Sequence, residues 1–195
     1  MDTDLLWFYV RTWGIKVTDL MQGPVYGIHT EESQLDDNLK THFNYDEVFG
    51  TVINRFLIQS LIGHPLTVYG KGGQTRGYLN IKDTLQCIEI AQKNPPERGK
   101  MDIFNQIVET FTVNELAERV KEAADEMGYD VTIKNIENPR IEAEDHYYNP
   151  TYQGLIDLGV KPNYLSKEIL QEMIHILERY KDNIDQSIIT KGISW

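Results

Sequence analysis

A glycine-rich turn between two short apolar runs, in segment 65–83, limits the folds open to this chain more than any other feature. Leu66 to Tyr69 predicts a short strand, and a second strand precedes a helix that starts near Asp83. The glycines of the turn allow the backbone to approach a ligand closely. Arg76 follows the turn, and a guanidinium fits a phosphate well. The segment therefore predicts an anion site, or else a solvated turn arginine.

The rest of the chain alternates between helical and strand patterns, which predicts an α/β fold. Thr112 and Glu115 have the spacing of a capping box. The predicted elements are a helix over 1–13, a strand from Ile15 to Met21, a surface loop from Thr30 to Asp46, a helix from Val48 to Leu61 that buries Phe49, a helix from Asp83 to Gln92, a strand from Ile103 to Val108, a helix behind Thr112, a strand from Tyr129 to Ile133, a short helix from Thr151 to Leu158 and a last helix behind Ser166.

Charge and cysteine content exclude several classes of function. The chain has 19 Lys and Arg against 30 Asp and Glu, a net charge of −11, which argues against a nucleic-acid-backbone binder. A small anionic ligand stays possible, because local arginines can outweigh the overall charge. The single cysteine, Cys87, permits no disulfide framework, so we expect a reducing, cytoplasmic compartment. Its apolar surroundings predict a buried structural residue rather than a nucleophile.

The N-terminal segment predicts a helix that needs cover on most sides. Leu5 to Val10 is almost continuously apolar. Asp2 and Asp4 lie where a signal peptide would carry positive charge, and no apolar run approaches the ~20 residues that span a bilayer. A helix that needs burial all round suggests a chain taken from a larger protein, so we expect a homo-oligomer or an N-terminal half on a separate chain.

Several motifs together carry a resemblance to a known family. They are 22–27, Tyr45 to Thr51, Asn54 to Phe56, 63–83, Phe104 to Gln106, Val113 to Ala117, 138–149 and 193–195. The chain closely resembles the C-terminal part of extended short-chain dehydrogenase/reductases of the NAD-dependent epimerase/dehydratase family. The segments 45–55 and 146–149 are typical of the branch that makes UDP-sulfoquinovose from UDP-glucose and sulfite.

The resemblance implies a fold and a missing half. Residues 1–30 would be a remnant of the Rossmann domain, and residues 31–195 would form the domain that binds the nucleotide sugar. The intact family enzyme binds NAD through a glycine fingerprint and uses a Tyr-x-x-x-Lys pair, and neither motif occurs in a fitting position here. We therefore expect no catalytic residue and no NAD bound by this chain alone. The first methionine would be either an internal one or the true start of a split gene.

The resemblance also assigns binding residues for the UDP-sugar. The residues and their implied roles are Arg76 and Arg140 for the diphosphate, Glu142 for a ribose hydroxyl, Thr67, Val68 and Tyr69 for the uracil, Gln22 for the sugar or the nicotinamide, Tyr26 as a weak cofactor contact, and Asn54. The alternatives stay open: Arg140 and Glu142 could form a surface pair, and Val68 and Asn54 could be structural. His146 has no ligand set at metal spacing, so no metal is expected.

Three hypotheses about function follow. The chain is the substrate half of an enzyme, inactive alone and completed by an N-terminal half on a separate chain. Alternatively, it is a non-catalytic UDP-sugar-binding module, or part of another nucleotide-sugar epimerase or dehydratase. Thirdly, it is a self-associating structural remnant, since missing strands would leave an open sheet edge and apolar helix faces.

Overall fold

A computed structural model describes residues 2–46, 48–138 and 148–189 of the chain. Over these residues the fold is α/β, as the sequence predicts. The helices are α1 (Asp2–Trp13), α2 (Glu31–Leu35), α3 (Val52–Leu61), α4 (Ile81–Lys93), α5 (Val113–Glu126), α6 (Gln153–Asp157) and α7 (Lys167–Glu178). The strands are β1 (Val17–Gln22), β2 (Val25–Tyr26), β3 (Leu66–Tyr69), β4 (Thr75–Asn80), β5 (Met101–Gln106), β6 (Glu109–Thr112) and β7 (Ile133–Ile136).

The chain divides into two compact units. Unit 1 comprises the described residues of Met1–Val25, Gly77–Glu109 and Asn149–Tyr164, and unit 2 comprises those of Tyr26–Arg76, Thr110–Tyr148 and Leu165–Trp195. Three strands form a small sheet in the order β2-β4-β6. The chain passes from one unit to the other within each of these strands. The division into 1–30 and 31–195 that the resemblance implies stays a prediction, and the compact units have other bounds.

Unit 1 is built on two parallel strands. β1 pairs with β5 in a register that runs from Val17 opposite Met101 to Gln22 opposite Gln106. α1 packs on β1, and α6 packs on β5. A small core joins the elements; it consists of Cys87, Leu155 and Val160 with Leu20, Ile90 and Phe104 against them. Cys87 is buried, as predicted, and this burial raises the pKa of its thiol, which disfavours the reactive thiolate.

Unit 2 is a three-helix layer on a second parallel strand pair. α3 packs against α5, α7 and β3, and β3 pairs with β7 from Leu66 opposite Ile133 to Tyr69 opposite Ile136. The side chain of Thr112 accepts a hydrogen bond from the Glu115 amide, and the Glu115 carboxylate accepts one in return from the Thr112 amide. The predicted capping box is thus confirmed. Ser166 caps α7 in a similar way, with the amide of Ile169 as donor.

Side chains that compete for backbone amides account for one wrong helix boundary. The helix predicted from Val48 begins at Val52, because the Asp46 carboxylate accepts hydrogen bonds from the amides of Val48 and Phe49. Thr51 then caps the helix through the amide of Asn54. Phe49 consequently lies outside α3 and is 76% exposed, so its predicted burial is wrong.

Two other predicted elements differ from the structure, and one strand was missed. The loop predicted from Thr30 to Asp46 contains α2 and a 3-10 turn, because Thr30 and Ser33 form a capping box. The strand predicted at 129–133 is displaced to Ile133–Ile136, where it pairs with β3. β6 was not predicted at all, since a four-residue strand that leads directly into a helix has little periodicity of its own. No helix in the described ranges is long and apolar enough to cross a membrane.

Candidate functional site

The glycine-rich turn between β3 and β4 is held by the start of α5. The amides of Val113 and Asn114 donate to the carbonyls of Gln74 (3.3 Å) and Gly72 (3.1 Å). The Asn114 side-chain amide also donates to the carbonyl of Lys71 (2.8 Å). The first amides of a helix have no partner within the helix, so the turn uses donors that would otherwise need water or a ligand.

Gly72 is the residue that this packing requires. Its φ of +73° lies in the left-handed region. A Cβ at this position would lie 2.6 Å from Val68 Cγ1 and 2.2 Å from Asn114 Oδ1. By contrast, a Cβ on Gly73 would meet nothing within 4 Å. The sequence shows three similar glycines, whereas in the structure Gly70 (φ +61°) and Gly72 have left-handed backbones and Gly72 is also too closely packed for a Cβ.

Arg76 follows the turn as the second residue of β4. It is half-buried, and its Nη1 donates to the carbonyl of Thr75 (2.9 Å). The turn and the strand thus fix the backbone that carries the guanidinium. The predicted role of Arg76 as a diphosphate ligand stays a prediction.

Strand β3 is fixed by two side chains of α3. The Gln59 carboxamide forms a two-point contact with Thr67: its Nε2 donates to the hydroxyl (2.8 Å), and its Oε1 accepts from the amide (3.0 Å). Arg55 Nη2 donates to the Thr67 carbonyl (3.0 Å). The amide, hydroxyl and carbonyl of Thr67 therefore all have partners inside the protein. Because Val68 is fully buried too, Tyr69 is the residue of this strand with the most exposed side chain.

Tyr69 lies against a buried guanidinium. Arg55 Cζ is 4.4 Å from the centroid of the Tyr69 ring and 5.6 Å from that of Phe56, and Arg55 is only 8% exposed. Contacts of this kind stabilise a cation over an aromatic face. Sequence reasoning considered Asn54 the better candidate on this helix and missed the connection between Arg55 and Tyr69. The available signal was a single charged residue within an otherwise largely apolar helix.

The other predicted contacts lie in different surroundings. The Asn54 side chain donates to the carbonyl of Asn44 (2.9 Å), so Asn54 links α3 to the preceding loop. Gln22 is exposed at the carboxyl end of β1, the end of a parallel strand where ligands gather in α/β folds. Tyr26 is only 1% exposed. Arg140 and Glu142, like His146, lie outside the described residues, so their roles stay predictions.

The glycine-rich turn of unit 2 does not have the arrangement of a dinucleotide fingerprint. In the dinucleotide fingerprint a glycine turn joins a strand to a helix, whose N-terminus holds the pyrophosphate. Here the glycine-rich turn leads into β4, a strand. Within ranges 2–46, 48–138 and 148–189, no group of three or more His, Cys, Asp or Glu is placed to hold a metal ion.

Comparison with known proteins gives strong matches over the whole chain. No family model matches. The chain is 47% identical to the chloroplastic UDP-sulfoquinovose synthase of Spinacia oleracea over 100% of its own length and 40% of that protein. It is 45% identical to the UDP-sulfoquinovose synthase of Sulfolobus acidocaldarius over 95% of its own length and 47% of that protein. The chain thus spans less than half the length of these relatives.

Solved structures agree on the fold. The UDP-glucose 4-epimerase of Thermotoga maritima, solved with UDP-glucose, matches with a TM-score of 0.68 at 20% identity, over 91% of this chain and 50% of that one. The UDP-glucuronic acid 4-epimerase of Bacillus cereus, solved with UDP-glucuronic acid and NAD, matches with a TM-score of 0.66 at 16% identity, over the same shares. The chain therefore shares the fold of about half of each of these solved structures, and along nearly its whole length it is similar in sequence to one part of the UDP-sulfoquinovose synthases.

Proposed function

We propose that this chain is the UDP-sugar-binding half of a UDP-sulfoquinovose synthase-like enzyme, with UDP-glucose as its ligand. The observation that carries the proposal is the turn between β3 and β4, which is fastened to α5 and leads directly to Arg76. The identity of 45–47% with two synthases supports the choice of ligand.

In this proposal, unit 2 binds the UDP moiety. Arg76 contacts the diphosphate, because a guanidinium can donate two parallel hydrogen bonds to phosphate oxygens. Tyr69 contacts the uracil with a ring that Arg55 holds in place. Thr67 and Val68 support the uracil site indirectly. The polar groups of Thr67 are already hydrogen-bonded within the protein, and the Val68 side chain is buried. Gln22 at the end of β1 remains a candidate contact for the sugar or the nicotinamide.

Catalysis needs groups that this chain lacks. When NAD is bound to the intact family enzyme it supplies the hydride transfer, and a Tyr-x-x-x-Lys pair moves the protons. The sequence contains neither the glycine fingerprint nor that pair in a fitting position. We therefore propose that the chain is inactive alone and that an N-terminal half on a separate chain completes the enzyme. A non-catalytic UDP-sugar-binding module is the alternative if no such half exists.

Calorimetry with UDP-glucose and, in parallel, NAD tests the proposal. We expect the purified chain to bind UDP-glucose but not NAD. Arg76→Ala should weaken UDP-glucose binding at least tenfold, or ~1.4 kcal/mol. The UDP-glucose affinity of Arg76→Lys should lie between that of the unchanged chain and that of Arg76→Ala, since lysine keeps the charge but loses the planar fork.

Arg98→Ala is the matched control, because Arg98 is an exposed arginine of unit 1 whose Nε donates to the carbonyl of Gly14 (3.3 Å). Its affinity for UDP-glucose should equal that of the unchanged chain. Equal UDP-glucose affinities for Arg76→Ala and Arg98→Ala would show that Arg76 does not contact the ligand. Stoichiometric NAD binding would contradict the prediction that this chain alone does not bind NAD.

A further inference from the structure

Unit 2 contains a cavity that the proposed UDP-sugar site does not use. Its volume is about 480 Å³, within the usual range of small-molecule sites. It lies between segment 37–45, α3 and the C-terminal end of α7. None of the residues predicted from the sequence to contact the nucleotide sugar or NAD lines it.

One wall of this cavity is apolar. It is lined by Ile28, Ile58, Ile176 and Leu177, which are each at least nine-tenths buried, and by the partly buried Phe43. Such a wall favours binding of an apolar ligand group, because contact removes apolar surface of both ligand and protein from water.

The other wall carries a lysine and a tyrosine that contact each other. Lys40 Nζ donates to the Tyr180 hydroxyl (3.2 Å) and lies 5.7 Å from the centroid of its ring. The Lys40 side chain is only 15% exposed, whereas its ion-pair partner Asp37 is 79% exposed. Arg179, which does not line the cavity, also donates to the Tyr180 hydroxyl (3.5 Å).

The electrostatics of this wall favour an anion. Hydrogen bonds from Arg179 and then Lys40 lower the pKa of Tyr180, which means that negative charge on its oxygen is stabilised. Among the described residues that line the cavity, the one carboxylate is Asp37, which forms an ion pair with Lys40 (2.5 Å) but is largely exposed, so water screens its charge. Two cations therefore act on the hydroxyl, against one solvated carboxylate.

We propose that this cavity is a second binding site, for a small amphipathic anion. The apolar body of the ligand lies against Ile58, Ile176 and Leu177. Its carboxylate or sulfonate contacts the Lys40 ammonium and the Tyr180 hydroxyl. A cation is disfavoured by Lys40, and a bare inorganic anion makes no use of the apolar wall.

Two dyes that differ in charge test this proposal on the full chain. 8-Anilinonaphthalene-1-sulfonate has an apolar body and a sulfonate, and N-phenyl-1-naphthylamine has the same body without the charge. Lys40→Met keeps an apolar stem and removes the ammonium. We expect it to weaken sulfonate-dye binding at least tenfold and to change binding of the neutral dye less than twofold. Lys93→Met, at an exposed lysine of α4 that pairs with Glu89, should change neither.

A third variant locates the dye and guards against misfolding. Ile184 is a partly buried residue that lines the cavity, so Ile184→Trp should fill it and remove binding of both dyes. Equal sulfonate-dye affinity in Lys40→Met and Lys93→Met overturns the proposal, as does the absence of saturable binding by the unchanged chain. If Lys40→Met melts at a much lower temperature, then Ile184→Trp decides, and retained sulfonate-dye binding in it overturns the proposal.

Discussion

Asp83 is a buried carboxylate that holds a loop of unit 1 in place. It is 0% exposed, and its two oxygens accept hydrogen bonds from the amide of Asn163 at 3.1 and 2.9 Å. The Asn163 side chain and Gln86 Nε2 donate to it as well. Burial raises the pKa of Asp83, and the donors from Asn163 offset this only in part.

The raised pKa fixes the sign of a pH dependence. Between the ordinary aspartate pKa and the raised folded one, the folded state binds more protons than the unfolded state. Stability from this group is therefore fully present below the ordinary pKa and is lost as pH rises through the folded pKa. We expect the free energy of unfolding of the unchanged chain to fall relative to Asp83→Asn over that window, by ~1.4 kcal/mol per unit of pKa elevation.

Urea unfolding of both proteins at a series of pH values measures this difference. Asp182→Asn, at an exposed aspartate of the C-terminal region, is the control and should track the unchanged chain at every pH. A difference between Asp83→Asn and the unchanged chain that stays constant from pH 4 to pH 8 would contradict the argument.

Single residues also show where sequence reasoning stops. Arg76 was predicted to contact the diphosphate because a glycine turn followed by an arginine is a local pattern, and this role stays a prediction. The pairing of Gln59 with Thr67 joins residues eight apart, and it depends on how α3 turns one face toward β3. In the sequence such a pair consists of two unrelated uncharged residues. Only the structure reveals that the polar groups of Thr67 already have hydrogen-bond partners within the protein.

At the scale of elements, the turn between β3 and β4 permits a sharp test. Gly72→Ala forces a side chain into a left-handed backbone and against Val68 and Asn114. We expect it to lower the free energy of unfolding by more than about 2 kcal/mol, since left-handed strain alone costs of order 1–3 kcal/mol. It should also weaken UDP-glucose binding, because the turn leads to Arg76.

Gly73→Ala is the matched control for this element, one residue further along the same turn. Its added Cβ meets nothing, and its φ lies outside the left-handed region. We expect a change within about 0.5 kcal/mol, as for ordinary surface substitutions. Denaturant unfolding of both variants checks the contrast. Similar losses in the two variants would mean that the turn is not fixed by α5.

Elements with strong local signals were predicted well, and those defined by pairing were not. β3 and α5 begin and end close to their predicted positions, because an apolar run and a capping box are both local. β7 was misplaced by about four residues, since its position follows from its register with β3 rather than from its own sequence. The start of α3 was missed because Asp46 uses the amides that would have extended the helix.

At the scale of the whole molecule, unit 1 has an open sheet edge and exposed apolar side chains on its first helix, which are features of a surface that a partner covers. In the described part of the chain β1 pairs only with β5. Large apolar side chains are exposed in the same unit: Leu5 (53%), Phe8 (56%), Trp13 (57%) and Met21 (51%). The sequence-based expectation of an exposed N-terminal helix thus agrees with the structure, and the curated relatives are more than twice as long as the chain.

A missing half and a second copy of this chain make different predictions for that surface. We expect co-expression with the portion of the spinach synthase that has no counterpart in this chain to give a one-to-one complex that retains NAD. Light scattering after size exclusion measures its mass. Self-association alone would instead give multiples of 22.6 kDa without NAD.

Leu5→Ser combined with Phe8→Ser should abolish the complex, because it places hydroxyls on the apolar face of α1. Leu35→Ser, at an 83% exposed leucine of unit 2, should leave it intact. A complex that survives the α1 substitutions and is lost with Leu35→Ser would place the partner on unit 2 and refute the assignment of this surface.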